Sequence, residues 1–567
     1  MFIDSDVYKV LEAVSWELSR AEEPALRQFL VETTDLLRRA QEPTGYLNTW
    51  GQLVAPQAHF DKLTSSHELY CAGHLIQAAI AAERGAAFSG LLEVAIKLSD
   101  HLVDVFLDQG HPGIDGHPEI ETALVELYRE TGLERYLQLA SHFLEGRGHG
   151  RIGHTAGLSY IQDHVPFRDM DSLVGHAVRA LYLECGAVDL AMENDDVTLL
   201  RAAIRHWEDT AQAKTSITGG MGSRHSHESF GDRYELPADR SYNESCAAVA
   251  AIHWNWRLLL ATGERRYADG IERTLYNAFA VSTSVDGTRF FYSNLLQRRP
   301  DHLDGVDTAQ RSEWFDCACC PPNIMRLVAS LSSYLATTRP SELRLHQYMC
   351  ASLRAPAAAG QFGITVRTDY PWAGHITCEV TQAPPGPFTL ALRLPEWAGC
   401  AAINLDGQPT NAPLQDGYLI LRRRWQVGEK VDLELPLKPE LMQAHPRADA
   451  LRGALAVRSG PLIYCAEAVD QAEDVEIDGM VVKPGAVLAA QPCDKDGIGA
   501  TVAVTVEAST PAGSVPGVDA AGALYQPVGG SAEVNARDVP GQLVTIPYFQ
   551  WANRGAGAMR VWLRADR

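Results

Sequence analysis

From Val7 to about Thr338 apolar residues recur at helical spacing, and the recurrence predicts helices in consecutive pairs. The pairs are Val7–Ser19 with Pro24–Ala40, His67–Arg84 with Phe88–Leu107, Ile120–Thr131 with Leu133–Glu145, Ser172–Met192 with Asp195–Lys214, and Tyr242–Thr262 with Glu264–Ser282. A last helix is predicted from Pro322, whose missing N–H costs nothing in a first turn, to about Ala336. That makes about eleven helices, separated by glycine-rich loops at Gly110–Gly116, Gly146–Gly157 and Gly219–Gly222. Unequal loops and the lack of a fixed period favour a closed (α/α)6 toroid over an open solenoid, although a toroid needs a twelfth helix.

After Pro340 the period shortens to two. Ile364–Thr368, Ile376–Thr381, Phe388–Leu394, Tyr418–Arg422 and Lys430–Leu435 alternate apolar and polar residues between Pro, Gly and Asp turns, as a β-sandwich requires. A second set follows at Ala454–Ser459, Leu462–Glu467, Val502–Val506, Gln542–Pro547 and Met559–Leu563, interrupted by a Gly/Ala-rich segment, Ala508–Gly530, that reads as a long loop. The expected fold is multidomain α+β: a toroid over residues 1–340, a β-sandwich over 341–445 and a second over 446–567.

Composition narrows the function classes. With 46% hydrophobic and 21% charged residues the 567-residue chain is an ordinary globular protein. Its formal charge of −22 argues against nucleic acid or an anionic membrane as partner. No apolar run approaches the ~20 residues needed to span a bilayer, and no signal-like start is seen. The eleven cysteines are odd in number and three fall within Cys317–Cys320, which disfavours a disulfide framework and points to the cytoplasm.

Two short motifs carry candidate chemistry: N-E-S-C at Asn243–Cys246 and C-A-C-C-P-P-N from Cys317. A buried cysteine is ordinarily a small hydrophobe. Three beside a Pro-Pro turn instead mark a metal site or a reactive thiol, and Glu244, Cys246, Cys319 and Cys320 make a plausible tetrahedral set for Zn²⁺. The loop Gly219–Pro237 brings Arg224, His225, His227 and Glu228 close ahead of Glu244. His67 and His74, seven apart, belong to one helix face. With His117 and His176 they recur at the openings of hairpins, which suggests a common cavity at one end of the toroid. With aromatics such as Tyr292 and Trp314, that cavity would suit a polyhydroxylated ligand.

The segments HELYCAGHLIQAAIA, YNESCAAVA, FFYSNLL, WFDCACCPPNIMRL and IPYFQWANRGAGAMRVWL, with the Glu228 loop, resemble glycoside hydrolase family 127, which contains β-L-arabinofuranosidases. The resemblance implies an (α/α)6 barrel backed by β-sandwich domains and a possible homodimer. It implies a Zn²⁺ held by Glu244, Cys246, Cys319 and Cys320, with Cys319 as nucleophile and Glu228 as acid/base. It also implies sugar contacts from His67, His117 and His176. Acting on a β-L-arabinofuranoside with retention, Glu228 would need a protonated carboxyl, so surroundings that raise its pKa are expected. Three rivals remain: a carbohydrate-binding protein with a structural Zn²⁺, a glycosidase of the same family for another sugar, and a toroid epimerase or lyase. Family members carry several dozen residues ahead of the position of Met1, so a missing twelfth helix and an altered barrel closure are expected. Cys317 has no assigned role.

Overall fold

The computed structural model describes residues 1–301, 310–473, 475–511 and 538–566. Among them are eleven helices of ten residues or more: α1 (Asp4–Arg20), α2 (Pro24–Ala40), α3 (Glu68–Ala86), α4 (Gly90–Val103), α5 (Ile120–Thr131), α6 (Glu134–Gly146), α7 (Ala177–Glu193), α8 (Val197–Ala213), α9 (Ser245–Thr262), α10 (Arg265–Thr274) and α11 (Cys320–Ser330). The odd-numbered helices form a cycle. α1 packs on α3, α3 on α5, α5 on α7, α7 on α9, α9 on α11, and α11 back on α1. The cycle of neighbours therefore closes with eleven helices.

The inner helices are apolar nearly all round, which suits a helix with neighbours on every side. Along α3, Leu69, Leu75, Ile76, Ala78, Ala79 and Ile80 are all buried, and α9 runs Cys246–Ala251 without an exposed residue. Alanines let the backbones approach closely, and each fully buried leucine or isoleucine contributes about 1.5–3 kcal/mol. One buried arginine ties three of the inner helices to a fourth. Arg326 of α11 donates to Glu12 of α1 (3.1 Å), Gln77 of α3 (2.5 Å) and Tyr182 of α7 (3.1 Å).

Several helix starts differ from the periodicity, because left-handed residues interrupt the chain just ahead of them. Gly175 (φ 74°) delays α7 to Ala177, and Asn243 (φ 44°) delays α9 to Ser245. α11 begins at Cys320, two residues before Pro322, with both prolines inside its N–H-free first turn.

Two sheets follow the helices. One has five strands, with Glu342–Leu345 parallel to Phe388–Arg393; the other has six, from Ala351–Pro356 to Gln408–Pro409. Their inward faces share a core that includes Phe362, Ile364, Phe388, Leu390, Val431 and Leu433.

The last strands hydrogen-bond into one nine-stranded sheet. It includes Pro439–Gln443, which pairs with Ala454–Ser459, so the sequence boundary at 445/446 cuts one hairpin and is moved upstream. It also takes in Gln297–Arg298, paired with Met559–Arg560. The central strand Leu462–Glu467 is buried on both faces: Ile463 and Cys465 face a core with Phe291, Leu296 and Trp551, and Leu462 and Tyr464 face a second core with Val504 and Leu543. Ala508–Thr510 continue the strand Gly499–Thr510 rather than opening a loop; residues 512–530 of the expected loop lie outside the described residues. No helix among the described residues is long and apolar enough to cross a membrane.

Candidate active site

Every inner helix from α3 to α11 starts at the same cluster. His67 is the N-cap residue of α3, Glu119 of α5, His176 of α7, Glu244 of α9 and Cys319 of α11, with His117 two residues ahead of α5. Helix N-termini present unpaired N–H groups and a positive dipole end, so they favour carboxylate and thiolate there.

Ligand atoms of Glu244, Cys246, Cys319 and Cys320 lie within 4.8 Å of one another. Cys246 Sγ is 3.4 Å from Cys320 Sγ and 3.9 Å from Cys319 Sγ, and Glu244 Oε1 is 3.7 Å from Cys320 Sγ. Glu244 Oε2 is buried and has no hydrogen-bond partner among the described residues. Burial pushes the Glu244 carboxyl well above the carboxylate range, helped by the charges of Glu228 and Cys319. Burial also pushes Cys246 up, but hydrogen bonds from Cys319 and Cys320 outweigh it and bring the thiol down to about 6. Three soft sulfur donors and one carboxylate, converging and short of partners, fit a tetrahedral soft cation such as Zn²⁺. Cys317 stands beside the group, 3.7 Å from the Tyr292 hydroxyl, and is not one of the converging four.

The segments that carry these groups are tied together by their backbones. Ser245 donates from N to Tyr292 O and from Oγ to Phe291 O (2.9 and 2.6 Å). Asn294 donates from Nδ2 to Asn243 O (2.9 Å) and from N to Tyr242 O (2.8 Å). This pairing delivers the Tyr292 hydroxyl to 3.3 Å from Cys319 Sγ. The last sheet supports it from behind: Phe291 stacks on Trp551, and Tyr548 donates to Leu295 O (2.7 Å).

Glu228 is held from both sides. Tyr242 Oη donates to its Oε1 (2.8 Å), and His176 Nε2 lies 2.8 Å from its Oε2. His176 Nδ1 accepts from Arg179 N–H, so its proton sits on Nε2 and is donated to the carboxylate. The expected upward pKa shift is therefore corrected. Burial raises Glu228, but the hydrogen bonds from His176 and Tyr242 and the nearby Arg179 charge overcome it and leave the carboxyl below its ordinary value. Glu228 and His227 also sit at φ 52° and 60°. Such left-handed non-glycine residues store strain that the surroundings must hold.

The three remaining histidines divide. His67 and His117 rings are 5.9 Å apart, and His117 and His176 are 5.7 Å apart. Their Nδ1 atoms face Ser65 O and Pro118 O, which places the proton on Nδ1 and leaves each Nε2 as an acceptor. Burial, with the Arg179 charge beside them, pulls both well below the ordinary histidine value, so both are neutral. His74 lies deeper in the ring, with Nδ1 3.4 Å from Glu119, and flanks Tyr70 opposite His67 (4.6 and 5.8 Å between ring centroids). Trp314 is 54% exposed, whereas Tyr292 is buried against Phe315 and Cys319. Arg224 is engaged with Glu235 (2.5 Å), so it braces the loop and does not face the cluster.

The matches with known proteins follow the same layout. The descriptions "Beta-L-arabinofuranosidase, GH127 catalytic domain", "Beta-L-arabinofuranosidase, GH127 middle domain" and "Glycoside hydrolase family 127 C-terminal domain" match residues 1–333, 342–437 and 439–564. The chain belongs to glycoside hydrolase family 127. A curated non-reducing end β-L-arabinofuranosidase of Bifidobacterium longum subsp. longum is 34% identical over all of this chain and 89% of its own length. The crystal structure of a family 127 β-L-arabinofuranosidase from Geobacillus stearothermophilus T6 superposes with a TM-score of 0.92 at 35% identity, covering 100% of this chain and 91% of that one. A further solved family 127 β-arabinofuranosidase gives a TM-score of 0.87 at 31% identity, covering 100% of this chain and 88% of that one.

Three residues packed around the cluster escaped the sequence reading. Tyr242 was visible only as the first letter of YNESC, and its partner Glu228 is 14 residues away. Tyr70 packs at 4.3 Å on His117. Lys9, fully buried on α1, lies 3.6 Å from Asp6 and 5.3 Å above the Tyr70 ring. Burial pulls its ammonium down, but the charges of Asp6, Cys246 and Cys319 outweigh that and keep it cationic. A lone lysine in an amphipathic helix carries no sequence signal of such burial.

Proposed function

We propose that this family 127 member is a retaining glycoside hydrolase that releases L-arabinose from the non-reducing end of β-L-arabinofuranosides. Cys319 acts as nucleophile and Glu228 as acid/base. The observation that carries this reading is the exposure of the cluster: of its four donors, Cys319 alone is partly exposed, and it faces Tyr292 on the side where Glu244 leads on to Glu228 and His176. A purely structural cation site would have no need to leave one thiol open.

The neutral His67 and His117 accept hydrogen bonds from sugar hydroxyls through Nε2, and the buried Tyr70 and Tyr292 rings supply apolar surface. With the furanose in place, Cys319 Sγ attacks the anomeric carbon as the bond to the leaving oxygen breaks, and Glu228 gives its proton to that oxygen. In the second step Glu228 takes a proton from water, the water oxygen bonds to the anomeric carbon, and Cys319 leaves as thiolate. A Zn²⁺ ion bound by Glu244, Cys246, Cys319 and Cys320 would keep the thiols ionised and in register.

The pull of His176 and Tyr242 on Glu228 suits the second step, where a carboxylate is needed. For the first step the bound sugar covers the half-exposed carboxyl and removes water from it, which raises its proton affinity in the complex. Zn-loaded, reduced protein should release nitrophenol from 4-nitrophenyl β-L-arabinofuranoside and not from the α-anomer or from a panel of other glycosides. Glu228→Gln should abolish turnover of an alkyl glycoside. Turnover of another glycoside instead would refute the sugar assignment, and full activity in Glu228→Gln would refute the acid/base.

A further inference from the structure

The loop between α6 and α7 is built against the open flank of Glu228. Asp163, fully buried, accepts from the N–H groups of Gly148 (2.8 Å), His149 (3.1 Å) and Ile152 (3.1 Å). Gln162, buried at φ 56°, donates from its amide to Tyr160 O (3.2 Å) and Val174 O (2.8 Å). His176 donates from N to Tyr160 O (3.1 Å), fastening the loop to the start of α7. Gly175 permits that approach: at φ 74°, a Cβ there would lie 2.1 Å from Ser159 O.

This scaffold holds Tyr160 among groups that adjoin the acid/base. Its ring centroid is 5.6 Å from His176, 5.6 Å from His227 and 4.4 Å from His154, with the Arg179 guanidinium 4.7 Å over its face. The Tyr160 hydroxyl has no hydrogen-bond partner among the described residues, although the ring is only half-buried. His154 Nδ1 accepts from Ala156 N–H (3.0 Å), so Nε2 carries the proton and is its donor. His227 is exposed beside Glu228. Arg179 is buried under the Tyr160 ring and donates to Gly116 O (2.7 Å), so its guanidinium is spent on the scaffold.

A glycosidic bond must lie between nucleophile and acid, so its leaving group departs past Glu228 on the side away from Cys319. We propose that Tyr160, His154 and His227 form the leaving-group half of the site and that they receive a second, uncharged sugar ring. The inference rests on the glycosidase reading above. An aromatic face with a free phenol and imidazole N–H matches a neutral saccharide, which offers C–H faces and hydroxyls together.

The test uses the Zn-loaded full chain and two substrates that share a non-reducing β-L-arabinofuranosyl unit: its methyl glycoside and a disaccharide. For Tyr160→Phe and for His154→Ala, the ratio of kcat/KM on the disaccharide to kcat/KM on the methyl glycoside should fall about tenfold, the loss of one hydrogen bond to a sugar. Tyr160→Phe keeps the ring and its packing, so it guards against collapse of the loop. An unchanged ratio in both variants overturns the proposal, as does an equal loss on both substrates, which would mean only that Glu228 or His176 had shifted. Wild-type protein inert towards both substrates would refute the glycosidase reading itself, and the proposal with it.

Discussion

If Glu228 is the acid/base, its hydrogen bond from Tyr242 sets when it carries its proton, and Tyr242→Phe removes that bond while keeping the ring. That ring packs on His225 and Tyr292 at centroid distances of 5.0 and 6.3 Å, so phenylalanine retains the contacts. A hydrogen bond to an ionised carboxylate is worth about 1.5–3 kcal/mol, and one to a neutral carboxyl about 0.5–1.5 kcal/mol. The difference, about 1–1.5 kcal/mol, is what the ionised form loses in the variant. Because the Glu228 side chain is 33% exposed, water recovers part of it, which favours the lower figure. At 1.36 kcal/mol per pH unit, about one unit follows. The sign is fixed by which form loses: the carboxylate is destabilised, so the protonated acid persists to higher pH. The alkaline limb of kcat/KM on methyl β-L-arabinofuranoside, whose poor leaving group demands the proton, should move up by about one pH unit. A limb that stays in place, or moves to lower pH, would refute the reasoning. So would a profile merely scaled down at every pH.

Other expectations follow from the same contacts. Cys246→Ser should lose most of the bound zinc, about one ion per chain in the wild type, measured by elemental analysis after dialysis; retention of a full equivalent would exclude Cys246 as a ligand. Arg393 is fully buried and binds Asp269 (2.5 Å) and Glu272 of α10 from the first β-sheet pair, so Arg393→Met takes the ion-pair partner from the buried Glu272, which keeps only its hydrogen bonds from Tyr370 and Trp397, while Asp269 keeps Arg265. It should lower unfolding stability by about 3–5 kcal/mol in denaturant titration, and a loss below about 1 kcal/mol would contradict this account. His206 lies 2.7 Å from Glu184 and 2.7 Å from Met170 O; burial would lower its pKa, but Glu184 outweighs burial and raises it. Its contribution is then complete below the ordinary histidine value of about 6.5 and lost as pH rises through the raised one. Melting temperature should fall across that window in the wild type and stay flatter in His206→Gln.

The helices were legible because each inner helix needs a long apolar stretch and each outer one an amphipathic stretch. Their starts were less so: Asn243 and Gly175 stop the chain by backbone conformation, which periodicity does not report. The cluster itself was readable from sequence for a structural reason. Every inner helix begins at the same end, so histidine, glutamate and cysteine at the openings of successive hairpins had to meet. What escaped were groups brought in by pairing between distant segments. Tyr242 reaches Glu228 because Tyr242–Ser245 zips to Phe291–Asn294, and no spacing within either motif encodes that. The direction of the Glu228 shift was missed for the same cause. A proton donor suggests a raised pKa, yet the two donors that lower it come from the start of α7 and from Tyr242. The register of Pro439–Gln443 with Ala454–Ser459 likewise depends on a partner strand rather than on its own alternation.

The central claim is that Cys319 bonds covalently to the sugar, and trapping that bond tests it most directly. In Glu228→Gln the second step lacks its base, so a β-L-arabinofuranoside with a good leaving group should glycosylate the protein faster than water can free it. Peptide mass mapping of the quenched variant should show one added pentosyl unit on the peptide bearing Cys319, and no addition when Cys319 is also changed to Ser. A pentosyl unit on a different residue, or product released with inverted configuration and no adduct, would contradict the account.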